Sequence, residues 1–407
     1  MTEEDDNPYR PGAGHSPPHL SGRNPEHRDF TALLDQKPVL RNLVLTGLRG
    51  SGKTVLLEAM QPQAAKRGWL WAGTDLSESA SVTEQNMAIR LMADLAPLVS
   101  GVEVAAREVK LVGYKPMARN VPVTLSYGFL EHVYNSTPGL AADRLKAVLE
   151  LVWNALAPHK LRGIVLAYDE AQNLSDQAVD KQYPLSLLLE VFQSLQKKGY
   201  PYLLVLTGLP TLYPKLLAAR TFAERMFSIM MLEKLPVAAT REAIEKPLKR
   251  RSPSDRFSET TIKDIIRGSD GYPYFIQFIC REALDSHKQQ RRRKVRKPVV
   301  DIPSIVRKLD NDFYAGRWNK LTDRQRDLLT VMAHLKDDDG EYTVQQIVLL
   351  AEKKLSKGIS ASQVTQMLAK LGEQSVVYKN RHGRYSFAVP MLGEFILRSI
   401  AQKTRLA

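Results

Sequence analysis

Cysteine is nearly absent from this 407-residue chain: Cys280 is the only one, which excludes an internal disulfide and any zinc site built from several thiolates. No uninterrupted apolar run reaches the length needed to cross a bilayer, and the acidic, polar start from Met1 to Arg10 has neither a basic n-region nor an apolar h-region. The expectation is a cytoplasmic protein with no membrane partner. Internal repeats are missing too. Acidic residues are scarce relative to basic ones, 44 against 58, for a formal net charge of +14. They are wholly missing from residues 288–297, where Lys288, Arg291, Arg292, Arg293, Lys294, Arg296 and Lys297 crowd together. Such a run is either a solvated linker or a contact to a polyanion, because clustered cations gain free energy by releasing counterions.

With 43% hydrophobic and 25% charged residues, the composition is that of a globular chain, and its length calls for two or three domains. Residues 1–30 are rich in Pro, Gly, His and Asn and read as an extended arm. Residues 31–235 read as a core in which short β-branched runs alternate with helical patterns, the signature of a parallel sheet covered on both faces. The runs are Asn42 to Thr46, Trp69 to Gly73, Ile164 to Tyr168, Tyr202 to Thr207 and Phe227 to Leu232. An insertion between the second and third carries helical patterns near Glu84 to Leu95 and Ala141 to Ala155, with a hairpin-like excursion between them. Residues 236–287 read as a helical lid, 288–318 as a basic linker, and 319–407 as a separate domain.

The last domain has its own grammar. Thr322 with Gln325, Thr343 with Gln346, and Ser360 with Gln363 are potential capping boxes, each opening a helical stretch. Ser375 to Tyr378 and Tyr385 to Val389 then alternate as strands about Asn380-Arg381-His382-Gly383. Three helices and a hairpin give a winged helix. Its third helix leaves Ser362, Gln363, Gln366 and Lys370 on the face opposite Val364, Met367, Leu368 and Leu371, and the hairpin tip carries Lys379, Arg381, His382 and Arg384. This surface suits double-stranded DNA; winged helices also dock proteins.

Gly47-Leu48-Arg49-Gly50-Ser51-Gly52-Lys53-Thr54 fits G-x-x-x-x-G-K-[ST] between a strand and the helical pattern Val55 to Lys66. In this context Gly47, Gly50, Ser51, Gly52 and Val55 present backbone N–H groups to phosphates, Lys53 reaches the β/γ oxygens, and the Thr54 hydroxyl ligates magnesium. The implied ligands are ATP and Mg2+. A later apolar strand delivers Asp169-Glu170, Asp169 for the metal and Glu170 to orient or deprotonate the attacking water. Thr207, at the end of the next strand, is either a γ-phosphate sensor or a strand cap. Arg220 and Arg225 precede the last strand; an arginine there either reaches a neighbouring subunit's site, which implies a homo-oligomer, or is a surface residue.

With these motifs in this order the chain resembles the AAA+ ATPases, in the branch that includes archaeal and origin-recognition initiators and STAND signalling ATPases. The arm residues Asn7-Pro8-Tyr9, Pro17-Pro18 and Leu20-Ser21-Gly22-Arg23 resemble the segment that lies against the adenine in such proteins. Gly271-Tyr272-Pro273 resembles the lid G-x-P motif of the STAND group, which adds Pro273 to the nucleotide-binding residues. The resemblance implies an α/β P-loop NTPase (AAA+/ASCE) with strand order 5-1-4-3-2, a helical lid and a C-terminal winged-helix domain. It departs from the initiators in lacking a sensor arginine on the lid motif, with only Arg281 nearby. The expected function is an ATP-hydrolysing switch that couples nucleotide state to DNA association. The alternative is a STAND-like regulatory or defence-signalling ATPase acting on a protein partner.

Overall fold

The computed structural model describes residues 7–12, 14–77, 79, 82–112, 115–249, 251–295, 299–335, 340–381 and 383–406, with side chains of 105–121, 380, 381 and 403–406 left out of account. Five parallel strands form its main sheet: β1 Asn42–Gly47, β2 Trp69–Ala72, β3 Gly163–Tyr168, β4 Tyr202–Gly208 and β5 Phe227–Leu232. Their spatial order is β2-β3-β4-β1-β5, the 5-1-4-3-2 order that the resemblance implies read from the other edge. Every residue of β1, β3 and β4 is buried. Continuous apolar runs are what a central parallel strand needs, since helices cover both its faces.

Alternation sorts these side chains between two cores. Leu43, Leu45, Val165, Ala167, Leu203 and Val205 face the helices Asn24–Leu34 and Lys53–Lys66. Val44, Ile164, Leu166, Tyr168, Tyr202, Leu204 and Leu206 face the other side, where Glu84–Val99, Ala141–Leu156 and Pro184–Lys197 pack. The insertion holds a ten-pair antiparallel ladder between Glu103–Val112 and Lys115–Thr124, followed by the helix Tyr127–Ser136.

The arm is extended only as far as Arg23. From Asn24 the chain is helical, because Pro25 starts the helix with its φ already set and Phe30, Leu33 and Leu34 fall on one buried face. The lid consists of Val237–Glu245, Glu259–Ser269 and Pro273–Arg292. The last helix runs well past Leu284, so the basic run begins as helix, with Lys288, Arg291 and Arg292 on its final turns. Arg291 is occupied there, donating to Ser254 Oγ at 2.6 Å and lying 3.4 Å from Asp255. Arg293 and Lys294 are exposed, while Arg296 and Lys297 lie outside the described residues.

Helix Ile302–Leu309 continues through a π-helical stretch, Asp310–Ala315, into Gly316–Asn319. Asp323–His334, Val344–Lys354 and Ala361–Glu373 follow, and all three expected capping boxes are formed. Strands Val377–Arg381 and Arg384–Phe387 pair antiparallel, and Tyr342–Thr343 adds a third strand beside the second. A final helix, Leu392–Leu406, packs back on Asp323–His334. Lid and C-terminal domain share one core, joined by an aromatic chain from Phe275 to Phe313 (5.1 Å between centroids), to Tyr314 (4.9 Å) and to Phe395 (4.8 Å). Among the described residues no helix is long and apolar enough to cross a membrane.

Phe192 is fully buried under the sheet and meets Tyr202 edge to face at 6.3 Å. Phe192→Ala should lower unfolding free energy by about 3–5 kcal/mol, from lost burial plus the cavity left behind. Urea denaturation followed by circular dichroism checks this.

Candidate nucleotide site

The sheet ends where the chemistry begins. At the carboxyl end of β1 the chain turns through residues 47–52 and enters the helix Lys53–Lys66. Gly50 and Gly52 hold φ of +75° and +89°, which residues with a Cβ rarely adopt, and these angles curl the loop around a concavity. A loop whose N–H groups point inward turns carbonyls outward, and these are tied down. Tyr274 N–H donates to Gly50 O at 3.2 Å, and the buried Arg23 guanidinium donates to Ser51 O at 3.0 Å and to Glu233 O at 2.9 Å. Arm, loop and lid are thereby joined around one cavity of about 430 Å³.

Lys53 Nζ donates to Gly47 O and Leu48 O, each at 3.0 Å, and burial pushes its pKa down to about 8 against the pull of Asp169 and Glu170. A desolvated ammonium with only carbonyl partners suits an anion. Asp169 has the strand parity of Val165 and Ala167 and so points to the helix that begins at Lys53. Its Oδ2 accepts from the Thr54 hydroxyl at 2.5 Å, and its Oδ1 accepts from Glu170 N–H at 2.8 Å. Burial raises the Asp169 pKa, while the Thr54 hydroxyl and the Glu170 N–H oppose that shift. Thr54 and Asp169 thus stand together as two oxygen donors beside the loop, which fits magnesium. The buried Ser51 hydroxyl has no hydrogen-bond partner, a further sign of a site shaped for a polar ligand.

Glu170 is exposed to the cavity and sits at φ +51°, a turn that swings its carboxylate back over the loop. Gln172 holds it there: its Nε2 donates to Glu170 Oε2, and its Oε1 accepts from Leu209 N–H at 3.0 Å, just beyond β4. The sequence reading passed over Gln172, although its place two residues after Asp169-Glu170 is a usable signal. Thr207 is fully buried at the end of β4 with the parity of Leu203 and Val205, so it faces the loop side of the sheet, and its hydroxyl is unpartnered.

Val55 and Pro273 also line the cavity, with the Pro273 ring 3.7 Å from where a Cβ on Gly52 would stand. The arm contributes Arg10, His15, His19 and Leu20 to the wall, and Tyr9 anchors it, fully buried, donating its hydroxyl to Ile244 O. Arg281 does not line the cavity; it donates to Tyr9 O at 3.0 Å. Arg317, from the segment read as linker, does line it, and only tertiary structure brings it there.

Arg225 lies at the opposite end of the strands from the loop. Phe227 pairs with Asn42 and Leu232 with Gly47, so Arg225 precedes the far end of β5, about 16 Å or more from its own loop at ~3.3 Å per residue. Arg220 is paired with Glu190 at 3.5 Å. Lys53→Ala should weaken ATP binding on the order of 100-fold, since the charge-assisted bonds to phosphate oxygens go with the ammonium. Isothermal titration calorimetry reads this directly, and unchanged affinity contradicts the assignment.

Comparison with known proteins agrees with this geometry. Residues 19–206 match the family described as AAA ATPase domain, and residues 311–396 match a domain of unknown function (DUF8462). No curated protein matches the chain by sequence. Among solved structures, the chain is similar to a Walker-type ATPase of Pyrococcus abyssi at 16% identity, covering 93% of this chain and 96% of that one with a TM-score of 0.57. It is also similar to the ADP form of the ORC2 protein of Aeropyrum pernix at 13% identity, covering 97% of each chain with a TM-score of 0.54. At such identities the likeness is one of fold. The matched residues 19–206 hold the phosphate loop, Asp169 and Glu170, and this part of the chain is an AAA ATPase domain.

Proposed function

We propose that ATP binding and hydrolysis in this cavity set the position of the C-terminal domain and thereby its association with double-stranded DNA. The observation that carries this reading is the cavity wall itself: Phe313 and Arg317, on the segment leading into the C-terminal domain, line it opposite the phosphate loop. A change at the phosphates therefore acts on the joint between the two domains.

Within the site, Lys53 and the loop N–H groups hold the phosphates, and Thr54 and Asp169 would hold magnesium, which would supply neutralisation of phosphate charge. Glu170 orients a water and accepts its proton at the carboxylate that Gln172 positions. Thr207 reads the γ-phosphate with its unpartnered hydroxyl.

Support for a DNA contact comes from the winged-helix order of the C-terminal elements and from helix Ala361–Glu373, which buries Val364, Leu368 and Leu371 and exposes Ser362, Gln363, Gln366 and Lys370. Gln363 is partly committed, since its Oε1 accepts from Ser360 N–H in the capping box. Lys379 is exposed on the wing, whereas Arg384 lies 3.8 Å from Glu341 and is ion-paired. The Arg381 side chain and His382 lie outside the described residues. Glu170→Gln should bind ATP and turn it over at least about 100-fold more slowly, trapping the ATP state. Fluorescence anisotropy with a labelled duplex should then give different affinities for that variant with ATP and with ADP. Negligible binding in every nucleotide state at low salt refutes the DNA reading and leaves a protein partner as the output.

Arg225 acts, on this reading, in the site of a second copy, because its own loop is out of reach. Arg225→Ala should lower turnover about 100-fold or more under conditions where copies assemble. Turnover per chain that is independent of concentration and insensitive to the substitution argues for a monomer.

A further inference from the structure

A second cavity, of about 400 Å³, lies within the lid and shares no wall residue with the nucleotide cavity. Its wall comes from the end of helix Val237–Glu245, the start of helix Glu259–Ser269 and the segment 246–258 that joins them. Ile244, Leu248 and Ile262 are buried and make an apolar floor, with the half-buried Phe257 ring beside them. Lys249 and Arg256 are exposed and line the same opening.

The joining segment is held in place. Buried Asp255 is ion-paired with Arg251 at 3.5 Å and with Arg291, at the end of helix Pro273–Arg292, at 3.4 Å. His287 Nε2 lies 3.0 Å from Ser254 O. Arg256 and Phe257 follow directly, so the cation and the ring are set beside the floor before any ligand arrives. The carboxylates around them are taken. Glu245, the third charged residue of the wall, is paired with Arg241 at 3.1 Å, and Arg241 also holds Glu259 at 2.5 Å. With Asp255 committed as well, Lys249 and Arg256 have no ion-pair partner among the described residues.

An apolar floor attracts apolar surface without direction, whereas two unanswered cations at its edge reward an anionic group with charge-assisted bonds. The volume falls in the range of small-molecule sites, roughly 300–1,000 Å³. We propose that this cavity binds a small amphipathic anion, an aromatic or aliphatic body ending in a carboxylate, and that its occupancy steadies the arm at the nucleotide cavity.

The second half follows from shared residues. Tyr9, fully buried, donates its hydroxyl to Ile244 O and stacks on Phe257, with 6.4 Å between centroids and 19° between planes. A ligand seated against Ile244 and Phe257 therefore touches the two residues that anchor the arm. Arg10 comes next in the arm; its N–H donates to Gln277 Oε1 at 3.0 Å, and both residues line the nucleotide cavity. Ala243, beside Ile244 on the same helix, lines it too. A wall already ordered has less conformational entropy to lose when nucleotide binds, so nucleotide affinity rises, and by linkage nucleotide raises the affinity for the anion equally. Only this coupling rests on the ATP reading; binding of the anion in the lid does not.

The test titrates the nucleotide-free full chain with 4-phenylbutyrate and octanoate, and with the neutral amide of each, by saturation-transfer NMR. At least one acid should bind about 10-fold or more tighter than its amide, the worth of one charge-assisted contact. Arg256→Glu, at an exposed and unpaired position, should remove that preference, and Lys249→Ala should reduce it. Melting temperatures matching the parent show that both variants fold. Lys53→Ala should leave acid binding unchanged. No saturable binding, equal binding of acid and amide, or an acid affinity unaffected by Arg256→Glu overturns the site, and loss of acid binding in Lys53→Ala overturns it by placing the acid in the nucleotide cavity. Calorimetry with ADP reads the coupling: the saturating acid should tighten ADP about 5-fold in the parent and leave Arg256→Glu unchanged. An ADP affinity indifferent to the acid overturns the coupling. A parent that binds the acid but no nucleotide sustains the lid site and removes the ATP reading.

Discussion

A loop that turns its N–H groups toward phosphates must turn carbonyls the other way, and those carbonyls need donors. Here the donors come from three places: Lys53 for Gly47 and Leu48, Tyr274 of the lid for Gly50, and Arg23 of the arm for Ser51. The hydrogen-bond demand of six residues thereby brings arm, lid and sheet together, since unmet carbonyls in this buried setting would each cost about 1–3 kcal/mol. The cavity is a by-product of that demand. Its wall consists of whatever reaches in to satisfy the loop, and so a change in the loop's ligand is felt by every element around it.

The rest of the site follows from strand parity. Asp169 and Thr207 each extend a strand whose odd-numbered residues already face the helix Lys53–Lys66, which brings both to the loop without special turns. Glu170 has the wrong parity, and the left-handed turn at φ +51° corrects it. That conformation is uncommon for a residue with a Cβ. Gln172 helps hold it, bonded to Glu170 on one side and to the backbone beyond β4 on the other. The Glu170 carboxylate is thus linked through Gln172 to the backbone just beyond the strand that carries Thr207.

What the sequence made legible was local. The five strands of the main sheet, the phosphate loop and the capping boxes at Thr322, Thr343 and Ser360 depend on residues close in sequence and appear where they were read, whereas the wing strand read as Ser375 to Tyr378 runs Val377–Arg381 and takes in Asn380 and Arg381, read as turn. The misreadings share a different cause. Pro, His and Asn made residues 24–30 look irregular, yet packing of Phe30, Leu33 and Leu34 under the sheet makes them helix. The helix Leu392–Leu406 went unread because its buried face answers Asp310 and Tyr314, more than seventy residues away. Arg317 looked like one more charge in a basic linker. Its place in the cavity depends on the stacking of Phe313 against Tyr274 and Phe275, and no spacing rule encodes a contact between an aromatic near the C-terminal domain and the first turn of a lid helix.

The charge balance of the cavity carries the argument one step further. Arg10, Arg23, Arg49, Lys53 and Arg317 line the cavity against the one carboxylate of Glu170, and Asp169 nearby is bonded to Thr54 and Glu170 N–H. A polyanionic ligand would offset that excess of positive charge. Arg317 directly follows the π-helical stretch Asp310–Ala315, at the joint between lid and C-terminal domain. The aromatic chain from Phe313 through Tyr314 to Phe395 links that joint to the last helix, so a displacement of the cavity wall would be passed outward. Coupling of this kind needs no long relay, because the cavity wall and the joint belong to one segment.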